Sequence, residues 1–233
     1  TAAAAAALTY LLHRRRRRST MVVPPLNVLC LHGYSQSGPL LSKFTRRVTA
    51  HCDQLAKFTY LTAPFPTEQN APEGRMWWTP TKLDGGGWDY GGVDETLSLV
   101  RDAERAAGAP FDGVLGFSQG AGLASLLIAL SEKRHADAPL GALRFGILCG
   151  GFPFRAANLP EYAALLKGLK TPSFHTIGAK DELVKPATSR LLKGCFDAPQ
   201  VLEHPGGHIV PSDAGSLAQL AAFLEAQRQE AKL

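Results

Sequence analysis

The sequence predicts an α/β fold, a mostly parallel sheet with helices on both faces. Two observations predict it. From residue 26 to the end, short apolar runs alternate with segments of helical periodicity. Most of the runs are also apolar at successive positions, the pattern of strands covered on both sides, while Lys57–Leu61 alternates. Composition agrees. Hydrophobic residues make up 45% and charged residues 19% of the 233, which suits a chain with a large core and not a disordered one. The length predicts one domain plus a tail, with an Ala/Arg-rich leader over 1–25 and the folded domain over 26–233.

The elements follow in order. Leu26–Leu31 reads as a buried strand ending at His32-Gly33. Leu41, Phe44 and Val48 recur at helical spacing, so one helix is expected over 39–52. Lys57–Leu61 is the second strand, ended by Pro64 and Pro66. Residues 63–92 are rich in Pro, Gly and Trp and show no period. A helix over 94–107 stops at Gly108. Phe111–Phe117 is a strand, and Gln119–Lys133 a helix burying Leu123, Leu126, Leu127 and Leu130. Leu143–Cys149 is a strand, 155–170 an insertion with a short helix, and Ser173–Ile177 a strand. A helix over 186–193, a strand over 200–203 and a closing helix over 213–227 complete the series.

Charge narrows the function classes. The net charge is +5, and five of the 25 basic residues form the run Arg14–Arg18. Without them the basic residues equal the 20 acidic ones in number, so the body is neutral and the positive charge belongs to the tail. That argues against a nucleic-acid-binding domain, which carries basic residues on its folded surface. The six alanines at 2–7 and the arginines read as a disordered leader, with Met21 as a start, or as an organelle-targeting leader, or as an arm for anionic surfaces. The four cysteines form no C-x-x-C pair, which points away from zinc ribbons and redox sites and towards a reducing, cytoplasmic setting; an organelle is the alternative if 1–20 are a transit peptide. No stretch is long and apolar enough to span a bilayer.

Gly116-Phe-Ser118-Gln-Gly120 matches G-x-S-x-G. A serine hydroxyl is a weak nucleophile until a scaffold projects it towards a base. A sharp strand-to-helix turn does so, and glycine two before and two after the serine removes the resulting clash. The bare pattern is weak. Its position, between an expected strand and an expected helix, is the context that gives it weight; the bland reading is an ordinary glycine-rich turn. Such a serine needs a histidine base and a carboxylate that orients it, in chain order Ser, acid, His. Asp181 stands nearest the end of the strand at 173–177, with Glu182 beside it; a loop cap is its alternative role. For the base, His208 after Gly206-Gly207 is preferred over His204, while His175 lies inside a strand. The oxyanion donors expected are the N–H groups of Gln119 and of Tyr34, on the loop after the first strand; His32 reads as support for that turn.

Together, Leu29-Cys-Leu-His-Gly-Tyr-Ser-Gln-Ser-Gly38, Trp77-Trp78, Phe111–Ala121, Asp181-Glu-Leu-Val-Lys-Pro186 and His204-Pro-Gly-Gly-His-Ile-Val-Pro211 resemble the FSH family of serine hydrolases over roughly residues 26–226. The resemblance implies an α/β-hydrolase fold and an intracellular esterase whose triad falls on Ser118, Asp181 and His208. Residues 1–20 lie outside it, and the glycines at 85–87 and 91–92 depart from it.

The segment 63–92 carries all three tryptophans, Trp77, Trp78 and Trp88. It is expected either to wall an acyl pocket, with Trp77 and Trp78 touching substrate, or to cover the sheet edge and pin a long loop. The expected function is hydrolysis of small acyl esters through an acyl-enzyme, with no cofactor, no metal and no nucleic-acid partner. A thioesterase or peptidase is the alternative, because the same machinery accepts any activated acyl group. A catalytically silent binding module is the rival from another class. A dinucleotide enzyme is weaker still, for no G-x-G-x-x-G follows the first strand.

Overall fold

A computed structural model describes residues 23–67 and 73–230. The Ala/Arg-rich segment 1–20 and Met21, with the readings attached to them, lie outside the described residues.

The architecture is the α/β one expected. Six strands form one sheet in the order β10-β9-β8-β7-β1-β2, every neighbouring pair parallel. They are β1 (Leu26–Leu31), β2 (Ala56–Leu61), β7 (Gly113–Phe117), β8 (Phe145–Cys149), β9 (Ser173–Gly178) and β10 (Gln200–His204). Both faces are covered, because successive residues of a strand point to opposite sides. From β1, Leu29 and Leu31 join a core with α3 (Val93–Ala107), α4 (Gln119–Glu132) and Leu192 of α6 (Pro186–Lys193). Val28 and Cys30 join the opposite core, with α1 (Gly38–Phe44), α2 (Arg46–His51) and α7 (Ala214–Glu230).

Three differences from the sequence reading have physical causes. The helix expected over 39–52 is two helices broken at Thr45. The Thr45 hydroxyl bonds back to the Leu41 carbonyl at 2.9 Å and to the Tyr60 hydroxyl, while its backbone leaves helical geometry at φ −94°, ψ 6°. The segment 63–92 is not irregular throughout. It holds β3 (Phe65–Pro66) paired with β4 (Arg75–Met76), then β5 (Thr79–Lys82) paired with β6 (Trp88–Gly91) across the Gly85–Gly87 turn. Third, α4 is buried all round from Gln119 to Leu130, not on one side. Trp78 and Phe152 close on Gly122, and α5 (Pro160–Leu165) brings Tyr162 into the same core.

Among the described residues, no helix is long and apolar enough to cross a membrane. The four cysteines are buried and unpaired.

On the other face, Phe223 of α7 is 2% exposed and meets Phe145 and Phe174 with ring centroids 5.9 Å and 5.5 Å away. Phe223→Ala is expected to lower unfolding free energy by about 3–5 kcal/mol through lost burial and a residual cavity, measurable by urea denaturation.

Candidate active site

The sheet register brings the carboxyl ends of five strands to one edge. Leu31 lies opposite Gly116, Phe117 opposite Cys149, Cys149 opposite Thr176, and Gly178 opposite His204. The chain leaves β1 for β2 on one side and later returns to β7 on the other. Loops after β1 and β7 therefore diverge at this point, the place where open α/β sheets hold their ligands. Tyr34, Ser118, Asp181 and His208 follow the ends of β1, β7, β9 and β10, Gln119 heads α4, and Trp77 and Trp78 lie between β4 and β5.

Ser118 occupies the turn between β7 and α4 with φ 56° and ψ −118°, a conformation that costs a non-glycine residue about 1–3 kcal/mol. Close packing holds it there. A Cβ on Gly116 would lie 2.3 Å from the Gly120 carbonyl oxygen, and one on Gly120 would lie 2.1 Å from that of Leu31. The glycines are thus required by backbone contact across the turn and against β1. The Ser118 N–H donates to the Cys149 carbonyl at 2.9 Å, which ties the turn to β8.

Asp181 and His208 meet. Asp181 Oδ2 accepts from His208 Nδ1 at 2.6 Å, and Oδ1 accepts the Leu183 and Val184 N–H groups at 3.0 Å and 2.8 Å. These bonds aim the carboxylate, whose side chain is buried. Nδ1 therefore carries the proton of a neutral ring, and Nε2 is its basic nitrogen. The loops of Asp181 and His208 are laced together: Ala179 N–H donates to His204 O at 2.8 Å and Lys180 N–H to Gly206 O at 3.0 Å. A Cβ on Gly178 would lie 2.3 Å from the Gly207 carbonyl oxygen, so only glycine lets the two loops pass this closely. The His208 ring packs on Phe117, centroids 4.7 Å apart, and against Gly150. Of the alternatives, Glu182 is exposed, His204 is buried at the end of β10 and His175 bonds Ser173 Oγ inside the sheet.

The loop after β1 is held by His32. Its Nε2 accepts the Ala63 N–H at 3.0 Å and its Nδ1 donates to the Gly33 carbonyl at 2.8 Å. Burial pushes its pKa down to about 4, so the ring is neutral. Trp77 Nε1 donates to the His32 carbonyl at 2.7 Å, and the Trp77 N–H to Gln119 Oε1 at 3.0 Å. A Cβ on Gly33 would lie 3.1 Å from Ser118 Cβ, so the Tyr34 amide follows directly on the residue that touches the serine. Gln119, first in α4, has no intrahelical acceptor for its N–H. Among the described residues neither amide donates to a protein acceptor.

Residues 21–220 match the family described as Serine hydrolase (FSH1). The chain belongs to the FSH1 family of serine hydrolases. This FSH1 hydrolase is 32% identical over 223 residues to Esterase CG5412 of Drosophila melanogaster, covering 90% of this chain and 77% of that protein. It is likewise 32% identical over 230 residues to Esterase OVCA2 of Danio rerio, covering 88% and 99%. The acyl-protein thioesterase 2 of Zea mays superposes with a TM-score of 0.60 at 18% identity, covering 88% of this chain and 95% of that one, which shows the shared α/β-hydrolase fold.

A cleft of about 530 Å³ opens beside Ser118 in this FSH1 hydrolase. Tyr34, Gln119, Trp78, Trp88, Tyr90 and Phe152 are among the residues lining it. Here one expectation is corrected. The sequence leaves open whether Trp77 and Trp78 wall a pocket or pin the loop, and the first of these roles is corrected at Trp77, since only Trp78 of the two lines the cleft. Trp77 is 0% exposed, and its polar groups bind His32 and Gln119, which makes it a support for the loop after β1. Trp78, itself 2% exposed, stacks on Tyr90 at 4.7 Å and presents an edge to the cleft. Trp78 thus lines the cleft and is packed in the core at once. Sequence reasoning missed Phe152 and Gly150, although Gly150-Gly151 after a strand signalled a close approach. It also missed the Gln119 side chain, for which no local pattern gives a signal.

His32 also predicts a pH response of stability. An unfolded histidine titrates near 6.5, while the folded ring stays neutral down to about 4. Between those values the unfolded chain binds a proton that the folded chain refuses, so stability falls as pH falls through that window. Urea midpoints taken from pH 7 to pH 4 should drop less steeply in His32→Gln than in wild type. Equal slopes would mean that the folded protein protonates His32.

Proposed function

We propose that Ser118, His208 and Asp181 are the working triad of a carboxylic ester hydrolase that acts through an acyl-enzyme. The observation that carries this reading is the 2.6 Å hydrogen bond from His208 to a buried carboxylate, on the sheet edge where Ser118 is held at φ 56°. The esterase names of the two relatives support an ester as substrate. The four buried thiols, none of them paired, support a reducing compartment such as the cytoplasm.

In the first half-reaction Ser118 Oγ attacks the acyl carbon while His208 Nε2 takes its proton. Negative charge develops on the former carbonyl oxygen, and the Gln119 and Tyr34 N–H groups stabilise it. Collapse expels the alcohol, which receives its proton from His208. Water, deprotonated by the same nitrogen, then attacks the acyl-enzyme and releases the acid. Asp181 stays ionised throughout and stabilises the imidazolium. The Gln119 amide heads α4, whose N-terminal dipole adds to the same stabilisation.

A fluorophosphonate probe should label wild type at Ser118 and leave Ser118→Ala unlabelled, with ester turnover reduced about 10³-fold or more. Retained turnover in a pure Ser118→Ala preparation would overturn the reading. Asp181→Asn should keep the fold and lower kcat by about 10³–10⁴, since the tautomer of His208 is then unsupported. A thioester and an anilide of the same acyl group belong in the panel, and an ester preference is expected in kcat/KM.

Trp78→Ala should both shift the acyl-chain preference and cost about 3–5 kcal/mol of stability, because the ring is buried and still borders the cleft. Thermal unfolding and a series of acyl lengths measure the two effects.

A further inference from the structure

Ser118 and His208 open onto different clefts. Ser118 borders the cleft of about 530 Å³ walled by Trp78, Trp88 and Phe152. His208 borders a second, of about 460 Å³, walled by Phe44, Phe117, Leu183, Ile209 and Val210. The rim of this second cleft is largely apolar and open to solvent, with Gln36 and Ser212 as its polar side chains besides His208. Leu183 is 80% exposed, Phe44 55% and Ile209 51%. Single exposed apolar residues are ordinary, but here three from separate chain segments share one concavity. Among its described lining residues there is no Asp, Glu, Lys or Arg.

The loops of the acid and the base place two of these side chains. Leu183 donates its N–H to Asp181 Oδ1 at 3.0 Å, and Ile209 follows His208 with its N–H on the Gly207 carbonyl at 3.0 Å. The bonds that hold the acid and base loops therefore also hold the rim.

Proton bookkeeping says which part of an ester belongs there. As the bond from Ser118 Oγ to the acyl carbon forms, the bond from that carbon to the alcohol oxygen breaks. The proton lost by Oγ passes through His208 to the departing oxygen, and the alcohol leaves whole. The departing oxygen must lie at His208, whereas the acyl group stays bonded to Ser118. We propose that the cleft of Phe44, Leu183, Ile209 and His208 receives the leaving alcohol, and that it is shaped for a large apolar one, an alkyl chain or an aryl group. The proposal rests on the triad reading above. A volume of about 460 Å³ is within the usual range of sites for such groups.

The test varies the alcohol at constant acyl group: butanoate esters of methanol, hexanol and 2-naphthylmethanol, compared by kcat/KM, which reports acylation. A second series varies the acyl chain from acetyl to octanoyl in methyl esters. Wild type should favour the naphthylmethyl ester over the methyl ester. In a Leu183→Ser/Ile209→Ser double variant that ratio should fall by about tenfold or more, with the order of the acyl series preserved. Both side chains are exposed, so the variant should fold, and circular dichroism checks it. A ratio within about twofold of wild type overturns the proposal, as does a shift in acyl preference instead. A uniform loss across alcohols overturns it too and assigns the rim to a surface contact. If wild type hydrolyses no ester and the fluorophosphonate leaves Ser118 unlabelled, the esterase reading itself fails. A labelled enzyme with an unmoved alcohol ratio fails only the alcohol site.

Discussion

Everything at the sheet edge depends on how closely α4 approaches β1. A methyl group on Gly120 would lie 2.1 Å from the Leu31 carbonyl oxygen, and one on Gly116 would strike the backbone of α4 itself. Backbone meets backbone without intervening side chains, so the turn between β7 and α4 cannot relax. Ser118 is left in a conformation that only a fully packed surrounding can hold. Strain of about 1–3 kcal/mol is tolerable when every residue of α4 from Gln119 to Leu130 is buried against the sheet and its cover.

The same approach sets the polar connections around the serine. Where β1 ends beside α4, the carbonyl of His32 faces Trp77, and Trp77 in turn faces Gln119. Buried polar groups are costly unless each finds a partner. Here one chain of bonds runs from the Ala63 amide through the neutral His32 ring to the loop that precedes Tyr34. Trp77 is thus polar in effect although wholly inside the core. On the opposite side of the serine, the Asp181 carboxylate takes three hydrogen bonds and hands one orientation to His208. The two halves do not share a strand. The register of β1, β7, β8, β9 and β10 brings them together.

That arrangement divides the site into two sides. The aromatic cleft by Ser118 is built largely by elements inserted between strands of the main sheet: the β5–β6 hairpin and the segment after β8. The cleft by His208 is built largely from α1 and from the loops that carry Asp181 and His208. Insertions can change length and composition without disturbing the sheet, so the first side is free to vary. The second is bound to the loops that carry Asp181 and His208 and is constrained with them.

Much of this could be read from the residues in order. The α/β class follows from apolar runs alternating with helical periods, and Ser118, Asp181 and His208 follow from strand ends and glycine-rich loops, because a local pattern already encodes a local turn. Periodicity does not carry side-chain traffic between distant segments. Thr45 splits a helix because Tyr60 is there to bond it, and α4 is buried all round because Trp78 and Phe152 come over its outer side. Trp77 and Trp78 are neighbours of one type in the sequence, and only packing makes one a buried donor and the other a wall. The sequence by itself determined the layers and the strand ends at which Ser118, Asp181 and His208 lie. The tertiary structure alone decided which aromatic residues touch the cleft and which cleft Ser118 and His208 each face, since those depend on contacts between residues tens of positions apart.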